Sequence, residues 1–152
     1  YPSANDLVFN SEAGKKLSAA HWNAVDKIMT KPWNADVTQC WFNYYEDGEW
    51  QEPHHHIDRQ IVDFVLVHFL SLDNTRHKPI VFHDPIDALR ANGLNYATKE
   101  KFSPELKEGD WVIFPPYLFH SVPEQPSTPD YPRITISWNI HITKFGDYDE
   151  KN

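Results

Sequence analysis

The stretch from Ile61 to Leu70 is almost continuously apolar, yet far too short to span a bilayer. A short run of this kind, rich in Val, Phe and Leu, is expected to be a strand buried on both faces. Other short β-like runs surround it. Val37–Tyr45 alternates and carries rings and β-branched residues, and Glu46-Asp47-Gly48 then turns the chain. Pro79–Phe82, Trp111–Phe114 and Ile134–Ile142 complete the set, with Glu124–Pro132 as a proline-rich loop before the last. Six Trp, seven Tyr and nine Phe, with twelve Pro against five Gly, favour an all-β sandwich or barrel over a helix bundle. Many short strands in one compact unit make a jelly roll the leading architecture.

The first part of the chain reads differently. Asn10 or Ser11 is placed to cap a helix through Met29, with Leu17, Ala20, Ala24, Val25 and Ile28 at helical spacing. Thr30-Lys31-Pro32 ends it, because proline disfavours helix in the residue before it. The helix is expected to lie on the outside of the sheet. One domain is expected over 1–152: a helical segment over 1–33, a β core over 34–143 and a tail over 144–152. Residues His83–Lys107 look like an excursion, with a helical turn or two around Ile86–Ala91.

The formal charge is −8 and the basic residues form no stripe, which argues against a nucleic-acid backbone as partner. Cys40 is the single cysteine, so no intrachain disulfide forms, and a reducing, cytoplasmic setting is expected. The chain opens on Tyr1-Pro2, as expected of a fragment or processed form, and no signal sequence is visible in it.

Chemistry concentrates in three segments. The first runs Gln51-Glu52-Pro53-His54-His55-His56-Ile57-Asp58. In an extended strand alternate residues share a face, so His54, His56 and Asp58 would point one way and His55 and Ile57 the other. Imidazole and carboxylate together suit iron, manganese or zinc. Three adjacent histidines can also be a polar turn or an expression tag, although a tag belongs at a terminus and this run is internal. The second segment, Gly109 to Val122, reads as turn, strand, proline-bounded bend and then His120. A lone histidine there is more often a satisfied core residue. Combined with an upstream His-x-His it becomes a natural third imidazole, leaving positions open for substrate and oxygen. The third segment is Arg133-Ile134-Thr135-Ile136-Ser137-Trp138-Asn139. Arg133, Thr135 and Ser137 share one strand face. An arginine facing a barrel interior is costly unless an anion pairs with it, and its fork matches a carboxylate. The plain alternative is a solvated arginine or one paired with Asp130.

Together these segments resemble the Fe(II)- and 2-oxoglutarate-dependent dioxygenases, in particular the small prolyl-hydroxylase-like members of bacteria and phages. The likeness runs from about Trp41 to Ile142. Trp41-Phe42-Asn43-Tyr44-Tyr45, Gly48 and Gln51-Glu52-Pro53-His54 are similar to the family's approach to its first ligand. Phe114–Val122 resembles its distal-histidine segment, and Arg133–Asn139 its co-substrate strand. The resemblance implies a double-stranded β-helix with Fe(II) near one mouth. It also implies 2-oxoglutarate with its distal carboxylate on Arg133, supported by Thr135 and Tyr45 and more weakly by Asn43 and Ser137. The implied reaction decarboxylates 2-oxoglutarate to succinate while oxidising a substrate, with oxygen consumed.

One departure from the family pattern bears on the metal. The usual triad is His-x-Asp/Glu with a distal His. Spacing from Tyr45 and Gly48 puts His54 first and His56 where the carboxylate would stand, but His56-Ile57-Asp58 also satisfies the pattern. The expected set is His54, His56 and His120, with Asp58 held as the alternative. Two other readings compete. A cupin explains the histidines, but lacks the expected glutamate after His56, has Tyr117 where its second motif has glycine, and leaves Arg133 unexplained. A non-catalytic barrel holding a structural ion would need a fourth ligand, from Asp58, His68, His77, His83 or His141. The substrate, a small molecule or a peptidyl side chain, is not legible, because barrel-mouth loops rather than the fold select it. Exposed aromatics such as Trp50 could line a substrate groove or a homodimer contact.

Overall fold

The computed structural model describes residues 10–57, 61–84 and 101–146. In chain order these residues form helix α1 (Glu12–Ile28), then strands β1 (Trp33–Tyr45), β2 (Gln51–His54), β3 (Phe64–Ser71) and β4 (Val81–His83). Strands β5 (Lys101–Phe102), β6 (Trp111–Phe114), β7 (His120–Val122) and β8 (Arg133–Phe145) follow. They build two four-stranded sheets, ordered β1-β8-β3-β6 and β2-β7-β4-β5, and every pairing is antiparallel. This is the expected jelly roll, with α1 on the outside of the first sheet. The expected turn around Ile86–Ala91 lies outside the described residues.

Helix α1 starts where the sequence puts it, with the Ser11 hydroxyl accepting from Gly14 N–H at 2.9 Å. Its buried stripe differs from the expected one. Gly14, His21 and Val25 are buried, whereas Ala20 and Ile28 face solvent. Packing sets the rotation: the His21 ring stands edge-on to Trp138 with centroids 4.6 Å apart, and Trp22 meets both Trp33 and Trp138. These rings bury more area than Ile28 could, so they win the contact with the sheet.

Strand β8 is longer than Ile134–Ile142, because its Arg133 and its far end pair with the full length of β1. Strand β3 begins at Phe64, not Ile61. The Asp63 carboxylate accepts from Ile142 N–H at 2.7 Å and meets His141 Nδ1 at 2.8 Å, so a side chain replaces the next ladder bond. Two apolar clusters result. One lies outside the first sheet, where Val25, Cys40, Leu66, Ile136, Trp138 and Ile140 pack under α1. The other lies between the sheets and joins Val65, Val67 and Phe69 to Ile80, Phe82 and Phe114.

Candidate metal centre

The strand face of β8 that points away from α1 carries Arg133, Thr135, Ser137 and Asn139, all buried. Their side chains meet those of β1, β2 and β7 in a cavity between the sheets, whose lining includes Trp41, Asn43, Tyr45, His54, His56 and His120. Polar residues at alternate β8 positions thus line this cavity, and members of the inter-sheet apolar cluster, Val67 and Ile80, close it from the side.

Strand β2 pairs with β7 so that His54 stands opposite His120. The strand ends there, which departs from the expected extension through Asp58. His56 reaches the cavity by another route: its N–H donates to the Pro116 carbonyl at 2.8 Å, and its ring stacks on Trp41 with centroids 5.7 Å apart. Asp58 lies outside the described residues.

The hydrogen bonds fix which nitrogen of each ring faces inward. A carbonyl oxygen only accepts, so His54 Nδ1–H donates to Glu52 O at 2.9 Å and His120 Nδ1–H donates to Leu118 O at 3.0 Å. His56 Nδ1–H donates to Asn139 Oδ1 at 2.8 Å, and Asn139 Nδ2 in turn donates to Gln39 Oε1 at 2.8 Å. In each ring Nδ1 is therefore engaged, and Nε2 is the nitrogen left for a ligand. His56 Nε2 and His120 Nε2 stand 3.3 Å apart, and one ligand nitrogen from each of the three histidines lies within 4.8 Å of the others.

Two lone pairs at that separation repel unless a cation or a proton lies between them. A proton is disfavoured. Burial, with His54 beside it, lowers His56 to about 4, although its bond to Asn139 opposes the shift. Burial also lowers His120 to about 3, against the opposing bond to Leu118 and with help from His54 and His56. Neutral rings are what a metal requires, and two nitrogens about 2.1 Å from one ion would sit about 3.0–3.4 Å apart. The donor set fits a first-row divalent metal, iron among them. Among the described residues no other group of histidine, cysteine or carboxylate side chains converges in this way.

Arg133 is 1 % exposed, and its Nε and Nη1 have no hydrogen-bond partner. Its guanidinium carbon lies 4.7 Å from the Tyr45 ring centroid and 5.4 Å from that of Phe69. Burial pulls its pKa down, and Tyr45 pushes the other way. No ion pair to Asp130 forms among the described residues, so the surface reading of this arginine fails. A buried cation with free donors fits an anionic ligand, because leaving it unpaired costs several kcal/mol, roughly. Around it, Asn43 Nδ2 donates to Thr135 Oγ1 and to Ser137 Oγ, each at 3.2 Å, and Tyr45 OH donates to Gln51 Oε1 at 3.0 Å.

The remaining histidines lie elsewhere. His68 faces α1, where its Nδ1 meets His21 Nε2 at 3.0 Å; His83 meets Ser121 Oγ at 2.9 Å, and His141 pairs with Asp63. His77 Nδ1 accepts from Asp73 N–H at 3.1 Å. None joins the cluster as a fourth ligand. Sequence reasoning missed Asn139, Gln39, Trp41 and Gln51. Asn139 was within reach, since it continues the Arg133, Thr135, Ser137 alternation by one step. The partners across the sheet were not.

A jelly roll with an imidazole cluster and a buried arginine in one cavity offers a site that could hold a metal ion. The chain belongs to the family described as "Putative 2OG-Fe(II) oxygenase", whose sequence model matches residues 39–139. Among curated proteins no relative matches. Several solved structures share the fold, two of them oxygenases. An oxidoreductase of the 2OG-Fe(II) oxygenase family from Burkholderia pseudomallei aligns over 73 % of this chain and 47 % of its own, with 12 % identity and a TM-score of 0.53. A prolyl-4-hydroxylase from Pseudomonas putida aligns over 86 % and 68 %, with 16 % identity and a TM-score of 0.55. The chain thus spans about half the length of the first and about two thirds of the second. No helix among the described residues is long and apolar enough to cross a membrane.

Proposed function

We propose that this chain is an Fe(II)- and 2-oxoglutarate-dependent dioxygenase that couples decarboxylation of 2-oxoglutarate to succinate with oxidation, by hydroxylation, of a second substrate. The observation that carries the reading is the buried Arg133, whose Nε and Nη1 find no hydrogen-bond partner, in the cavity that also gathers the three histidine rings. A metal alone explains the histidines. Only a second, anionic ligand explains the arginine.

His54, His56 and His120 would hold the metal, each ring oriented by its own Nδ1–H bond. Arg133 would take the distal carboxylate of 2-oxoglutarate through its two free donors, with the hydroxyls of Thr135 and Tyr45 beside it and Asn43 and Ser137 behind. Iron with 2-oxoglutarate supplies the oxidising chemistry when bound, with molecular oxygen as co-substrate. The chain's share is to orient both carboxylates and exclude water. Trp41 over His56, and Phe82 and Phe114 beside His120, form the dry wall.

Anaerobic titration of the Fe(II) protein with 2-oxoglutarate tests this. A visible chelate band should appear, and Arg133→Met should weaken 2-oxoglutarate binding about a hundredfold or more, roughly the effect of removing one partner of a buried charge pair. The same substitution should leave the melting temperature of the ligand-free protein unchanged or raised, since it removes an unpaired buried charge. Iron binding without any such band would favour the cupin-type alternative, for which the all-imidazole set is the supporting observation. Uncoupled succinate release is the companion measurement.

A further inference from the structure

The turn between β1 and β2 opens onto a second concavity beside the cavity. Asn43, Tyr45 and Gln51 line both. The groove offers about 420 Å³ against about 20 Å³ for the cavity. Tyr44, Glu49, Trp50 and Glu52 form the rest of its polar and aromatic wall. Trp50 is 63 % exposed and Tyr44 46 %.

Three features say what would lie there. The first is charge. Residues 32–57 contain Asp36, Glu46, Asp47, Glu49 and Glu52 and no lysine or arginine. None of the ion pairs among the described residues involves the four glutamate and aspartate side chains of the turn. The second is the strand edges. Among the described residues β1 and β2 are the outermost strands of their respective sheets, each paired on one side only, so strand-edge backbone borders the groove. The third is rigidity. Gly48, at φ 81°, donates to Gln125 O at 2.9 Å, and Gln125 N–H donates to Glu49 O at 2.9 Å; Gln125 itself is buried. The wall is therefore clamped to the β7–β8 connection rather than loose.

Acidic residues alone would be an ordinary way to keep an edge strand from aggregating. That purpose conflicts with two large exposed rings at the same place. Rings flanked by carboxylates recognise ammonium and guanidinium groups, and free strand edges recognise extended backbone. We propose that this groove docks an extended, lysine- or arginine-bearing polypeptide segment and that such a segment is the substrate class, a neighbouring side chain entering the cavity. As a statement about substrate it rests on the oxygenase reading above. Docking itself needs neither iron nor 2-oxoglutarate.

The test uses the whole chain, free of iron and 2-oxoglutarate, and two labelled peptides of equal length, one alternating Lys and Thr and the other Glu and Thr. Fluorescence anisotropy should show binding of the lysine peptide only, weakening several-fold as salt is raised. Trp50→Ala and the double variant Glu49→Gln/Glu52→Gln should each lower the affinity about two- to fivefold, as expected for exposed cation–π and ion-pair contacts. Thermal melts confirm folding, and Trp50, being largely exposed, is the safer variant. Equal binding of both peptides, binding of neither, or undiminished binding by the variants overturns the proposal. Such a failure leaves the chelate band untouched, and loss of that band leaves the peptide result standing, so the two readings fail separately.

Discussion

Strand β8 presents two faces to two different solvents. Outward, Ile136, Trp138 and Ile140 lie beneath α1 in a wholly apolar layer. Inward, Arg133, Thr135, Ser137 and Asn139 are as thoroughly buried, yet every one is polar. The same backbone thus carries a layer that burial stabilises and a layer that burial penalises, roughly 25 cal/mol per Å² of apolar area on one side against the desolvation of donors and a cation on the other. The outer face holds the strand in place. The inner face uses that rigidity to hold polar groups where water would otherwise solvate them.

If that division is correct, the largest effect should come from the outer face. Trp138→Ala should cost about 3–5 kcal/mol in urea unfolding, as for other buried large-to-small changes. Metal affinity measured in the folded variant at low temperature should change little. A second experiment asks what both faces share. His21 on the outer side and His56 on the inner are held at about 4, and His120 at about 3, against an ordinary value of 6.5. The folded state therefore binds fewer protons than the unfolded chain below pH 6.5. Stability of the metal-free protein should be full above that pH and fall as pH drops through about 4, by up to about 1.4 kcal/mol per unit for each ring. A flat urea midpoint across this window would contradict the assigned neutral rings.

The inner face alone is probed by Asn139→Ala. Chelator competition should show metal affinity lower by about 10- to 100-fold, because the His56 ring loses the partner that orients it. An unchanged affinity would assign that orientation to the Trp41 stack. The smallest effect is expected at the far edge of the outer layer. Ser11→Ala removes the α1 cap and should lower stability by about 1 kcal/mol with no change in metal affinity.

Much of the fold was legible because period and composition are local. The buried run around Val65–Phe69, the alternation of β1 and the Ser11 cap all appear in the structure near where the sequence puts them. Boundaries moved where a side chain took over a backbone bond, as Asp63 does ahead of β3. The rotation of α1 was not legible, since it depends on which rings find Trp138 across space. Extending the strand through Asp58 was an error of the same kind: it assumed regular alternation where a single bond from His56 to Pro116 redirects the chain.

By itself the sequence determined the family, the β architecture and the residue types available for chemistry, because each is carried by short segments and their order. Only the tertiary structure decided which nitrogen of each histidine faces inward, that Arg133 is buried with two donors unsatisfied, and that Gln39, Asn139 and His56 form one chain of hydrogen bonds. Those facts depend on the register between strands about a hundred residues apart, which brings Gln39 opposite Asn139. No local pattern encodes that register, since it is set by how two whole sheets bury their faces.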